Sequence, residues 1–137
     1  MEKIVVDISK NNLLGMLSEY YSNLNGKQIK IRSKVSNEDS YGYTVTKYYF
    51  YYEEYTKIYN QEVKQTYYLS EDEIKEALKE IINREGYSIS TIIFSSEKRQ
   101  HESYLYEWDE DELTNVEVTL VQKEKTLKLE RWLYEEI

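Results

Sequence analysis

The sequence contains no cysteine and no proline. Disulfides, thiolate zinc centres and cysteine nucleophiles are therefore excluded. The lack of cysteine also fits a reducing compartment. There are only four glycines, with no phosphate-cradling loop and no G-x-S-x-G nucleophile elbow. The chain has one histidine, His101, so any Ser-His-Asp chemistry would have to use it. No stretch approaches the ~18 consecutive apolar residues of a membrane span. The opening MEKIVVDIS lacks the apolar run and small-residue cleavage site of a signal peptide. A cytoplasmic protein is expected, with no membrane partner.

What is present is charge of one sign and a great deal of tyrosine. At 137 residues the chain fits a single domain, 1–137, long enough to bury a core without covalent staples. Eighteen Lys and Arg against 26 Asp and Glu give a net charge of −8. That sign opposes direct binding to nucleic acid or to anionic membranes, and it favours a basic partner. Solubility alone also accounts for such acidity. Of the 16 tyrosines, ten lie between residues 41 and 68. An AT-rich coding sequence would explain an excess of tyrosine but not that concentration.

Two helices are expected, over about 9–24 and 71–85. In the first, Leu13, Leu14, Leu17, Tyr20, Tyr21 and Leu24 form an apolar stripe, with Ser9 or Asp7 as cap and Gly26 as stop. In the second, Ser70 and Glu73 form a capping box, Leu69 and Ile74 a hydrophobic staple, and Gly86 the stop. Between them, KQIKIRSKV reads as a half-buried strand, SNEDSYG as a loop, and residues 43–58 as a long strand. A turn at Tyr59-Asn60-Gln61 would return the chain through EVKQTYYL. Beyond the second helix, YSISTIIFS, HESYLYEW and NVEVTLVQ read as strands; TLKLERWLYEEI reads as a further strand across KEK, or as a short helix. Short connections imply antiparallel pairing. The fold class is thus α+β, an antiparallel β-sheet of about five to seven strands with both helices packed on one face.

The tyrosine-rich stretch YGYTVTKYYFYYEEYTKIY invites two explanations. Tyrosine and threonine dress the open face of an antiparallel sheet through cross-strand pairs. Alternatively, that face is a recognition surface, carried by Tyr49, Tyr51, Tyr55 and Tyr67. A homodimer could bury the same face against itself.

The sharpest charge feature is EWDEDE, with Glu107, Asp109, Glu110, Asp111 and Glu112 in six residues. It reads as an acidic turn between two strands. It lacks the spacing of a calcium-binding loop, and Glu117 and Lys123 match no nuclease-like arrangement. Closely spaced carboxylates can imitate nucleic-acid phosphates and occupy a basic groove.

In composition and size the chain resembles the small acidic proteins of phages and mobile elements of AT-rich Gram-positive hosts. That resemblance implies a protein acting by binding a host protein. The expected function is a non-enzymatic, anti-defence type inhibitor that blocks a basic nucleic-acid-binding surface by charge mimicry. Neither cofactor nor metal is expected. The competing expectation is a small enzyme or metal-binding domain using His101 and nearby carboxylates, or a homodimeric structural subunit.

Overall fold

The computed structural model describes residues 3–122. In chain order these form β1 (Lys3–Ser9), α1 (Lys10–Asn25), β2 (Arg32–Ser40), β3 (Tyr43–Ile58), β4 (Gln61–Leu69), α2 (Glu71–Arg84), β5 (Tyr87–Glu102) and β6 (Glu107–Gln122). The class is α+β with antiparallel pairing throughout. The single sheet expected from sequence is instead two three-stranded sheets, ordered β1-β6-β5 and β2-β3-β4. Each helix carries the chain from one sheet to the other. Helix α1 lies against β1 and β6, and α2 against β5 and β3; the helices touch each other, and β2 meets β6.

Local chemistry fixes both helices. Ser9 accepts a hydrogen bond from the Asn12 amide at 3.3 Å, and Gly26 closes α1 at φ 66°. Ser70 accepts from the Glu73 amide at 3.2 Å, and acidic Glu71, Asp72 and Glu73 suit the positive end of α2. Glu71 also accepts from the Tyr48 amide at 3.1 Å. That amide lies two residues beyond the last β3–β4 pair, Phe50↔Leu69, so the start of α2 extends the ladder.

The buried side chains form one cluster. Leu13 and Leu17 come from α1, Ile74, Ala77 and Leu78 from α2, Phe50 from β3, and Leu113, Val116, Val118 and Leu120 from β6. Burying each large aliphatic or aromatic side chain contributes about 1.5–3 kcal/mol. Alternation along β6 is re-phased by a bulge. Ser95 pairs with Asn115 and Ser96 with Leu113, so Thr114 has no opposite number. Leu113 and Val116, three apart, therefore both face inward. Thr114 donates its hydroxyl to the Ser95 carbonyl at 3.1 Å.

Four expectations are corrected. MEKIVVDIS, read only for targeting, supplies edge strand β1, whose Ile8 is buried. Residues 27–31 are not strand. Their groups are satisfied by serines of α1: Ser22 accepts from the Ile29 amide at 2.8 Å, and Ser18 from the Ile31 amide at 2.9 Å. Freed from pairing, this segment still buries Ile29 and Ile31. The SNEDS stretch is strand, the turn being only Tyr41-Gly42. Finally, the three strands expected after α2 are two long ones, with HESYLYEW split around residues 103–106. The segment TLKLERWLYEEI lies outside the described residues.

Candidate functional site

Beyond the bulge, hairpin β5–β6 leaves the core. Pairing continues from Ser96↔Leu113 to Glu102↔Glu107, so EWDEDE is strand and not the expected turn. Continuous cross-strand pairing explains the difference. The reversal is made further out, where Ser103 N donates to the Tyr106 carbonyl at 2.9 Å.

Strand alternation divides the five carboxylates between two faces. Glu107, Asp109 and Asp111 share one with Lys98 and Gln100; Gln100 donates to Glu107 at 3.0 Å. Asp111 accepts from the Asn37 side chain of β2. Glu110 and Glu112 share the other face with Arg99, His101 and Trp108. There Glu112 lies 3.6 Å from Arg99 Nε, and His101 Nε2 lies 2.9 Å from Glu112 Oε1 and 3.6 Å from Glu110 Oε2. The imidazole stacks on the Trp108 ring at 5.4 Å.

Hairpin β2–β3 advances beside this arm. Tyr48 donates its hydroxyl to the Phe94 carbonyl, 3.3 Å away. Two residues further out, Asn37, paired with Thr46, reaches Asp111, paired with Lys98. The two hairpins therefore carry their turns toward the same end of the molecule. Residues 97–112 bring seven carboxylates against two fixed cations, Lys98 and Arg99, and Glu38 and Asp39 add two more. The same end exposes Tyr41, Tyr43, Tyr104, Leu105 and Tyr106. Tyr41 is 99% exposed, yet holds a left-handed φ of 48° that disfavours a bulky side chain.

The expected aromatic face is only partly assembled. Tyr49, Tyr51 and Tyr55 share one face of β3. Tyr49 donates to Glu38 at 2.9 Å and Tyr55 to Glu53 at 3.0 Å, which raises both phenol pKa values. Tyr67 is on the opposite face, paired with Tyr52 and stacked on it at 4.9 Å. The outer partner of Tyr51 is Tyr68, at 5.9 Å. The cause is the turn. Tyr59-Asn60 is a two-residue connection with φ of 52° and 64°; the three-residue turn expected from sequence would have set Tyr67 opposite Glu53.

Charge is segregated elsewhere too. A groove of about 570 Å³ beside the start of α1 is lined by Lys10, Lys30, Arg32 and Tyr51. Another of about 740 Å³, between the helices, is lined by Tyr20, Tyr21, Glu73, Glu76 and Glu80. In it, burial with Glu73 nearby pushes Tyr21 up to about 12.

Sequence reading missed Asn37, Tyr41 and Trp108. Glu110 and Glu112 at i, i+2, on the same face as His101, were a usable signal once the reversal is placed at 103–106. No family model matches the chain, and no curated protein or solved structure matches it either. Among the described residues, no helix is long and apolar enough to cross a membrane.

Proposed function

We propose that the chain is a non-enzymatic binding protein that docks the shared end of hairpins β2–β3 and β5–β6 on a basic, nucleic-acid-binding surface of a host protein. The observation that carries this reading is that one end of the molecule combines nine carboxylates with exposed aromatic side chains. The carboxylates would steer association and oppose lysine and arginine side chains. Tyrosine and leucine at the turns would supply contact area. The left-handed Tyr41 adds support, since a strained, fully exposed aromatic residue contributes little to folding. Charge mimicry of nucleic acid is part of this reading, with the clustered carboxylates standing for phosphates, and the anti-defence role is taken from the resemblance to phage and mobile-element proteins. His101 is flanked by Glu110, Glu112 and Trp108, and its ring is engaged by carboxylates and an aromatic face, which favours binding over catalysis.

The test is capture from a Gram-positive lysate on the immobilised full chain, with two variants alongside. One neutralises the arm (Asp109→Asn, Glu110→Gln, Asp111→Asn, Glu112→Gln); the other is Tyr41→Asn. The expected result is a nucleic-acid-binding protein that duplex DNA or RNA displaces. Neutralising the arm should abolish its capture, and Tyr41→Asn should weaken it while leaving the fold equally or more stable. Capture unaffected by neutralisation, or by competing nucleic acid, would sink the mimic.

A further inference from the structure

We propose that His101, Glu110 and Glu112 form a binding site for a divalent transition-metal ion of the zinc class. The inference is independent of any protein partner. Three potential donor atoms, one from each residue, all lie within 4.8 Å of one another. Zinc–ligand lengths of about 2.0–2.2 Å put neighbouring donors about 3.4 Å apart in a tetrahedron, a gap that small side-chain rotations close.

The hairpin register builds the site. Glu110 and Glu112 are two apart on β6 and share a face, and His101, opposite Trp108, stands on the same face of β5. The paired ladder thus supplies two ligands from one strand and one from the other. Stacking on Trp108, with the ring planes only 15° apart, orients the imidazole. Arg99 approaches the other oxygen of Glu112, Oε2, and leaves Oε1 to the cluster.

A second observation points to a cation there. His101 Nε2 is shielded from water and makes no hydrogen bond, although Glu112 Oε1 is 2.9 Å away. The contact lacks the alignment that an N–H···O bond needs. A ring nitrogen and a carboxylate oxygen this close, with no aligned hydrogen bond between them, are well joined by a cation. A metal ion, bound to one side of both atoms, satisfies them without that alignment. Imidazole with two carboxylates suits zinc and its first-row neighbours, whereas magnesium and calcium prefer all-oxygen ligands.

The probe is zinc chloride, titrated calorimetrically into the metal-stripped full chain with a large excess of magnesium present. Expected is one saturable equivalent with a micromolar or tighter dissociation constant. His101→Ala and Glu112→Gln should each weaken it at least about tenfold. Asp109→Asn, on the opposite face, should leave it unchanged. Circular dichroism of each metal-free variant should match the parent, since all three side chains lie on the arm outside the core. The inference is overturned if no 1:1 event occurs, if magnesium abolishes it, or if His101→Ala binds as the parent does. An adventitious ion only would show as weak, multi-site binding indifferent to both substitutions.

Discussion

Strand β6 is two strands in one. From Leu113 to Gln122 it presents Leu113, Val116, Val118 and Leu120 to the core. From Glu107 to Glu112 it buries nothing fully and carries five carboxylates. Both halves pair with β5, and one bulge separates them. Backbone hydrogen bonding is thus equally available to each half; what differs is what the side chains face. The near half is held by removal of apolar surface from water, the far half by cross-strand pairs worth only about 0.2–1 kcal/mol each. A segment that contributes so little to folding is free to be shaped by what it meets.

The largest test of this contrast lies within β6. Leu113→Ala leaves a cavity under the sheet and should cost about 2–5 kcal/mol. Asp109→Asn, four residues earlier and exposed, should stay within about 0.5 kcal/mol of the parent. Urea denaturation of both variants measures the difference. Comparable losses would mean that the arm is integral to the folding unit, and the division of β6 would fail.

A smaller effect separates the core strands from the segment that replaces a strand. Residues 27–31 carry strand-like alternation, yet the Ile29 and Ile31 amides are held by Ser22 and Ser18 of α1. Ser18→Ala strips the Ile31 amide of its acceptor beside a fully packed side chain and should cost about 1–3 kcal/mol. A loss below about 0.5 kcal/mol would show that water takes over the amide.

That segment also shows where sequence legibility ends. The helices were readable because their signals are local: Ser70 and Glu73 act within one turn of the residues they cap. The α+β class and a count of about five to seven strands followed from composition and short connections, although β1 was not read as a strand and β5 and β6 were read as three. The division into two sheets did not, because it depends on which strands pair over long separations, as when Ile8 finds Val116. Face assignments depended on turn length. One residue too many at Tyr59-Asn60 moved Tyr67 across the sheet, and a misplaced reversal at HESYLYEW left His101 and its nearby carboxylates without a common face. The acidic residues of the candidate site were therefore visible one by one; their grouping, and the exposed aromatic residues at the turns, were not.

The smallest expected effect concerns the outer face of β3, where tyrosine is bound to its own molecule. Glu38 accepts from Lys47 and from Tyr49, each at 2.9 Å, and these two contacts, Lys47 first, hold its carboxyl below the ordinary 4.5. A folded-state pKa below the unfolded value stabilises the fold above about pH 4.5, and the gain is lost as pH falls through the folded value. Tyr49→Phe removes one of the two donors and keeps the ring. The Glu38 carboxyl, followed by NMR, should then titrate closer to 4.5, with Lys47 still holding it below. That outcome would mark Tyr49 as a sheet residue whose hydroxyl is already engaged, unlike Tyr41 and Tyr104 at the hairpin ends. An unmoved titration would mean that the hydroxyl is not held by Glu38 in solution. The outer face of β3 would then offer it to a partner as freely as the turns offer theirs.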